Sequence, residues 1–200
     1  MAELAGVVLA AGLSSRMGAY KPLMQVDGES MSRRVVSMMH AAGAEPVLVV
    51  TGYRRDALED HLRGMGVRFV YNPDYAVTQQ LESLRLALAR LEGKCRRVLI
   101  CPADVPLVGA DTVQALLALP GDFVRPVWHG EVGHPVVLDA GLIPYLMAYD
   151  GPGGLRGAVE RSGCRLRELQ VEDRGTVLDN DTPQDVERLL RWKKQVRDMP

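Results

Sequence analysis

Apolar runs alternate with segments of helical period along most of this chain, the pattern of an α/β domain built around a largely parallel sheet. Residues 4–10 are apolar on both faces, as a central parallel strand must be when helices cover both sides, and the run stops at Gly12. Ser30 or Ser32 can cap a helix through about Ala42, closed by Gly43, and residues 46–50 give a second strand ending at Thr51 and Gly52. Residues 54–63 predict a helix closed by Gly64, and residues 67–71 a third strand. Leu81, Leu84, Leu88 and Leu91 then recur on one helix face, and residues 97–101 form a fourth strand.

That strand breaks at "CPADVPL". Pro102 and Pro106 bracket Asp104, so the segment continues neither as strand nor as helix. Asp104 is thereby held on a stiff loop at a strand's carboxyl end, where open α/β sheets bind ligands. Residues 111–119 predict the next helix. "DFVRPVWHGEVGHPVVLD" then predicts two strands about a Gly-containing turn, an antiparallel addition on one edge or side of the sheet. Two short helical pieces around "GGLRGAVERSG", a strand at 166–171, a short strand at 177–178 and a final helix in "DTPQDVERLLRWKKQV" complete the chain. Thr182, Pro183 and Asp185 mark the start of that last helix.

The 200 residues, 47% of them hydrophobic, suffice for one core of ordinary size and not for two comfortable ones, so one domain is expected over 1–195 with a tail at 196–200. A net charge of −1 with 24% charged residues supplies no global field toward nucleic acid or an anionic membrane. Aromatic content of 5% also argues against a base-stacking platform. Cys95, Cys101 and Cys164 are widely spaced, without a CxxC or a nearby histidine pair, so neither a disulfide framework nor a zinc site is indicated. No apolar run approaches membrane-spanning length, and residues 4–13 lack the preceding basic residues of a signal segment. A soluble, cytoplasmic protein is expected.

Against that neutral background one loop stands out. "VVLAAGLSSRMGAYKPL", residues 7–23, runs from the first strand into two glycines, two serines and two cations with no acidic residue among them. Gly12, Arg16, Gly18 and Lys21 spell GxxxRxGxxK. The glycines let backbone N–H groups approach an anion, Ser14 and Ser15 donate hydrogen bonds, and Arg16 and Lys21 offer a planar fork and a point charge. The alternative is a surface turn whose cations are solvated. The spacing matches neither a Walker A loop nor the GxGxxG of a dinucleotide fold.

Acidic residues lie elsewhere. Asp104 either caps its own turn or faces a ligand, and Asp179 and Asp181 in "LDNDTPQD" follow the short strand at 177–178. Carboxylates at two strand ends can converge on one hard cation, because Mg²⁺ is held by one or two carboxylates plus substrate phosphates. Asp185 is better explained as a helix cap. His134, fixed between Gly133 and Pro135 in "GHPVV", is either structural or aimed at a ligand. Asn72 in "NPDY" and Ser83 either touch a substrate or close a loop and pack a helix face. Arg188, Arg191, Lys193, Lys194 and Arg197 are expected to form a solvated helix face.

Taken in order, "LAAGLSSRMG", Lys21, "NPDY", "CPADVPLV", "GHPVV" and "LDNDTPQD" resemble the MobA-like nucleotidyltransferases, most closely their molybdenum cofactor cytidylyltransferase branch, over residues 5–190. The resemblance implies a Rossmann-like nucleotidyltransferase fold of the nucleotide-diphospho-sugar transferase type, three-layered, with a mostly parallel mixed sheet. It implies an NTP at the first strand-loop-helix turn, touching Leu9, Ala10, Ala11 and Gly12, then Ser14, Ser15, Arg16 and Lys21, with Thr51 and Gly52 beside them. Arg16, Lys21 and Asp104 would be catalytic. Asp104 with Asp179 or Asp181 would hold Mg²⁺ or Mn²⁺, and Asn72, Ser83 and His134 would lie on the acceptor side.

The implied reaction transfers a nucleoside monophosphate to a small phosphorylated acceptor, first the pterin phosphate of molybdenum cofactor, with a sugar or polyol phosphate as the alternative. Ala11, where guanylyltransferase relatives carry a second glycine, is similar to cytidine-specific members and points to CTP. A molybdo-enzyme or its maturation factor is the implied protein partner; nucleic acid and membrane are not. One departure stands out: after "NPxY" the family usually carries a Gly- or Ser-rich segment, and this chain has the bulkier, more polar "AVTQQLES". That segment motivates a reading of another class, a cofactor carrier that turns over no nucleotide. A third reading, a metal-dependent glycosyltransferase of related architecture, would consume an intact nucleotide-sugar.

Overall fold

The computed structural model describes residues 1–12 and 20–178. Arg16 and its loop neighbours Ser14, Ser15 and Gly18 lie outside those residues, as do Asp179, Asp181, the helix expected in 181–196 and the tail at 196–200.

In chain order the elements are β1 (Ala2–Ala10), β2 (Gln25–Val26), β3 (Glu29–Ser30), α1 (Met31–Ala41), β4 (Val47–Thr51), α2 (Arg55–His61), β5 (Val67–Tyr71) and α3 (Gln80–Leu91). They continue with β6 (Cys95–Pro102), α4 (Ala110–Ala118), β7 (Phe123–Trp128), β8 (Glu131–Val132), β9 (Val136–Asp139), α5 (Ile143–Ala148), α6 (Gly154–Arg161) and β10 (Leu166–Gln170). The main sheet runs β10-β7-β9-β6-β1-β4-β5, with β8 paired to β7. β1 is central and parallel to both β4 and β6, and β4 is parallel to β5.

Side-chain alternation along β1 builds the layers. Ala5, Val7 and Leu9 face a cluster with Leu81, Leu84, Leu88 and Leu91 of α3 and with α5 and α6. Val8 and Ala10 face the opposite cluster, with Val35, Val36 and Met39 of α1, Leu58 of α2 and Val113 and Leu116 of α4. The result is the expected three-layer α/β architecture. The four α3 leucines are at most 4% exposed, and each contributes about 1.5–3 kcal/mol by its burial.

Three elements differ from the sequence expectation. β9 is not an addition at the edge: it lies inside the sheet, antiparallel to both β6 and β7. Its Val136, Val137 and Leu138 are all buried, which requires cover on both faces and neighbours on both sides, whereas the mixed, half-exposed β10 takes the edge. Residues 177–178 form no strand, because Asp173 turns the chain into a one-turn 3₁₀ helix at Arg174–Thr176 by accepting the Gly175 N–H at 3.0 Å. The β2–β3 ribbon around Asp27–Gly28 was not anticipated, although Asp-Gly between short extended segments is a hairpin signal. Among the described residues no helix is long and apolar enough to cross a membrane.

Candidate active site

The carboxyl ends of β1 and β6 and the start of α3 surround a cavity of about 230 Å³. From β1 come Leu9 and Ala10, followed by Ala11 and Gly12; from beyond β6 come Ala103 and Asp104; from the approach to α3 come Tyr75, Thr78, Gln79, Gln80 and Ser83. Lys21 and Pro22, in a one-turn 3₁₀ helix at Lys21–Leu23, line it as well.

Each wall has a local cause. Ala103 N–H donates to Leu9 O at 2.9 Å, extending the β1–β6 ladder one step past the strand, and Val105 N–H donates to Pro102 O at 3.3 Å. Asp104 sits in the turn between them. Tyr20 is buried and its hydroxyl donates to Ala10 O at 3.1 Å, which anchors the backbone just before Lys21. Burial pushes the Tyr20 phenol well above its usual range, with Arg54 pulling weakly the other way, so it stays a neutral donor. On α3, Gln79 N–H donates to Glu82 Oε2 at 3.0 Å in a capping box that fixes the first turn against the cavity.

The electrostatic centre is a pair 83 residues apart in sequence. Lys21 Nζ lies 3.4 Å from Asp104 Oδ2, with side chains 10% and 28% exposed. The carboxylate absent from the residues around Lys21 in sequence is supplied by the fold. Cys101, one turn before, is fully buried, and burial together with the nearby Asp104 charge raises its thiol well above the usual range. It is therefore held neutral and offers no nucleophile.

Of the residues singled out by sequence, Leu9, Ala10, Ala11, Gly12, Lys21, Ser83 and Asp104 meet at this cavity. Thr51, Gly52 and Asn72 stand behind its wall. Thr51 is buried and donates to Glu59 Oε1 at 3.2 Å. Gly52 is a spacer: a Cβ there would fall 2.5 Å from Ala11 O and 2.7 Å from Tyr75 Cβ, so only glycine lets the β1 and β4 ends approach so closely. Asn72, 2% exposed, donates to Thr78 Oγ1 (3.0 Å) and Ser83 Oγ (2.9 Å) and accepts the Asp74 N–H at 3.0 Å. It closes the loop that presents Tyr75, Thr78 and Gln79.

His134 is outside the cavity lining. Its backbone N–H donates to Thr176 O at 2.8 Å, and its buried ring Nδ1 has no hydrogen-bond partner among the described residues. Burial lowers its pKa, opposed by the charge of Asp104. Tyr20, Tyr75, Thr78, Gln79 and Gln80 were missed as site residues. The departure at "AVTQQLES" was the signal for three of them, and an aromatic directly before the loop lysine was the signal for Tyr20.

A divalent cation fits this donor set in one way. Among the described residues no group of three His, Cys, Asp or Glu gathers. The partly exposed Asp104 carboxylate offers the hard oxygens that Mg²⁺ or Mn²⁺ takes, and substrate phosphates would complete the shell.

Comparison with known proteins gives the family and the fold. The family model of the MobA-like NTP transferase domain matches residues 6–168. The bifunctional protein GlmU of Carboxydothermus hydrogenoformans is 32% identical over 179 residues, 86% of this chain; the chain spans only 37% of that relative's length. Rv0371c of Mycobacterium tuberculosis superimposes with a TM-score of 0.81 at 26% identity, over 95% of this chain and 98% of that one. Its complex with manganese gives 0.75 at 25% identity, over 94% and 98% of the two chains. A nucleotidyl transferase from Methanothermobacter thermautotroptrophicus shares the fold, with a TM-score of 0.82 at 24% identity over 97% and 99% of the two chains. With the family match spanning β1 to β10 and the cavity at the carboxyl ends of its central strands, the chain belongs to the MobA-like NTP transferase family.

Proposed function

We propose that this protein transfers a nucleoside monophosphate, preferably CMP from CTP, to a small phosphorylated acceptor with release of pyrophosphate. The observation that carries the reading is the contact of Lys21 with Asp104 in the wall of a cavity at the ends of β1 and β6. A phosphate oxygen of the acceptor attacks the α-phosphorus, the bond from that phosphorus to the β-bridging oxygen breaks, and the electron pair leaves with pyrophosphate. Lys21 and Arg16 offset the charge gathered on the triphosphate and on the leaving group. Asp104, with Asp179 or Asp181, would hold Mg²⁺ or Mn²⁺, which supplies Lewis-acid polarisation of the phosphoryl oxygens when bound. The Ala11 methyl at the cavity wall supports a pyrimidine, since it narrows the space beside the backbone.

The pterin phosphate of molybdenum cofactor is the acceptor the family resemblance implies, with a molybdo-enzyme or its maturation factor downstream and the cytoplasm as the compartment. A second reading, a sugar or polyol phosphate, is favoured by the hydroxyl and amide groups of Thr78, Gln79, Gln80 and Ser83 on the cavity wall. Incubation with each NTP, Mg²⁺ or Mn²⁺ and each acceptor, with pyrophosphate as the readout, tests both. CTP is expected to give the fastest release, and metal removal by a chelator to abolish it. Release with GTP and never with CTP overturns the base assignment, and cofactor delivery that persists in Asp104→Asn without CTP binding favours a carrier.

A further inference from the structure

A second cavity, of about 220 Å³, opens between the first turns of α3 and the loop joining α5 to α6. That is room for roughly seven waters at about 30 Å³ each. Gln79, Glu82, Arg85 and Asp150 wall it together with the backbone of residues 151–154, and Gln79 lines the first cavity as well.

The loop around it is held firmly in place. Arg85 reaches from α3 to donate to Leu146 O at 2.9 Å and to Tyr149 O. From α6, Arg161 donates to the Tyr149 hydroxyl at 3.1 Å and to Pro152 O at 3.3 Å, and that hydroxyl itself donates to Pro152 O at 2.7 Å. A Cβ at Gly157 would fall 2.1 Å from Pro152 O, and Gly153 has φ +90°, so the approach of loop to helix demands glycine. Two arginines and these glycines keep the cavity formed ahead of any ligand.

Its chemistry separates ligand classes. Glu82 and Asp150 contribute carboxylates, while the guanidinium of Arg85 is turned to carbonyl oxygens, so a phosphate group is disfavoured here. Hydroxyls suit it, because they donate to carboxylates and accept from amides. A flat heteroaromatic ring wants open apolar faces, whereas Tyr149 in this wall has its hydroxyl tied to Pro152 O and Arg161 and lies close against Gly151.

We infer that this second cavity takes the polyhydroxylated body of a phosphorylated acceptor, a sugar or polyol phosphate, whose phosphate reaches past Gln79 into the first cavity. This rests on the nucleotidyl-transfer reading and gives its sugar or polyol phosphate acceptor a binding place of its own.

The test is calorimetry on the full chain with four probes: CTP with Mg²⁺, glucose 1-phosphate, glycerol 3-phosphate and inorganic phosphate. Glu82→Gln keeps the acceptor of the α3 capping box, and Asp150→Asn lies on an exposed loop, so both variants are expected to fold. Each is expected to weaken glucose 1-phosphate or glycerol 3-phosphate about five- to tenfold, while CTP and inorganic phosphate bind as in the parent. Which organic phosphate responds tells sugar from polyol. The inference is overturned if neither organic phosphate binds the parent more tightly than inorganic phosphate, or if both variants leave the organic phosphates unchanged. Failure of CTP to bind the parent is a separate outcome, one that removes the nucleotide reading while the organic phosphate titrations still report on the cavity.

Discussion

Lys21 shows how far single residues could be read from sequence and where that stopped. Its place in a glycine-rich loop after the first strand marked it as an anion ligand, and Asp104 between two prolines was marked independently. Their 3.4 Å contact joins positions 83 residues apart, a tertiary fact that no local pattern carries. Asn72 was open between substrate contact and loop closure; its three hydrogen bonds to Asp74, Thr78 and Ser83 tie the loop to α3. Lys21→Ala is expected to lower kcat/KM for the NTP about 100-fold, the order seen when one charge-stabilising donor is lost. Lys94→Ala, before β6 at the opposite end of the sheet, should leave it unchanged. Equal losses in steady-state assays of the two variants would show that the cavity does not grip the triphosphate.

At the scale of elements, caps and buried faces were legible and strand order was not. Either Ser30 or Ser32 was expected to cap α1; the cap is Ser30, whose Oγ accepts the Arg33 N–H at 3.3 Å. The structure adds what lies across from it: His61 Nε2, at the end of α2, is 2.7 Å from the same hydroxyl. The Ser30 hydroxyl can donate to a neutral Nε2 or accept from a protonated one, so the cost of charging His61 comes from its surroundings and not from this contact. Burial, and then the charge of Arg33, lower the His61 pKa below its usual value. The unfolded chain therefore binds more protons than the folded one between the depressed pKa and about 6.5, and stability must fall as pH drops through that window. Thermal melts from pH 7.5 to pH 5 should show this fall, shallower in His61→Gln; an unchanged slope in that variant would place the titrating group elsewhere. The interior position of β9 was harder to read, since its apolar run is equally compatible with several buried places, and only pairing with β6 and β7 selects one.

For the molecule as a whole, the α/β class with a largely parallel sheet followed from the alternation of apolar runs with helical segments, and the three-layer arrangement from the family resemblance. The second cavity was not legible, since it depends on Arg85 and Arg161 fastening the loop at 149–153, whose glycines and proline read from sequence as no more than a turn. The first cavity draws its walls from β1, the turn at Lys21, α3 and the loop after β6, segments gathered only in the folded state. A nucleotide bound there binds the native chain and not the unfolded one, so it must raise stability by mass action. At 100 times Kd the gain is about 2.7 kcal/mol, and for a chain of this size that corresponds to a rise in Tm of roughly 5–11 °C. CTP with Mg²⁺ is expected to give that shift in the parent, and Lys21→Ala to lose most of it at the same CTP concentration because its Kd is raised. Scanning calorimetry across a CTP series decides the matter: a Tm that stays flat to millimolar CTP, or one that climbs equally in Lys21→Ala, would mean that the walls meeting at Lys21 and Asp104 enclose some other ligand.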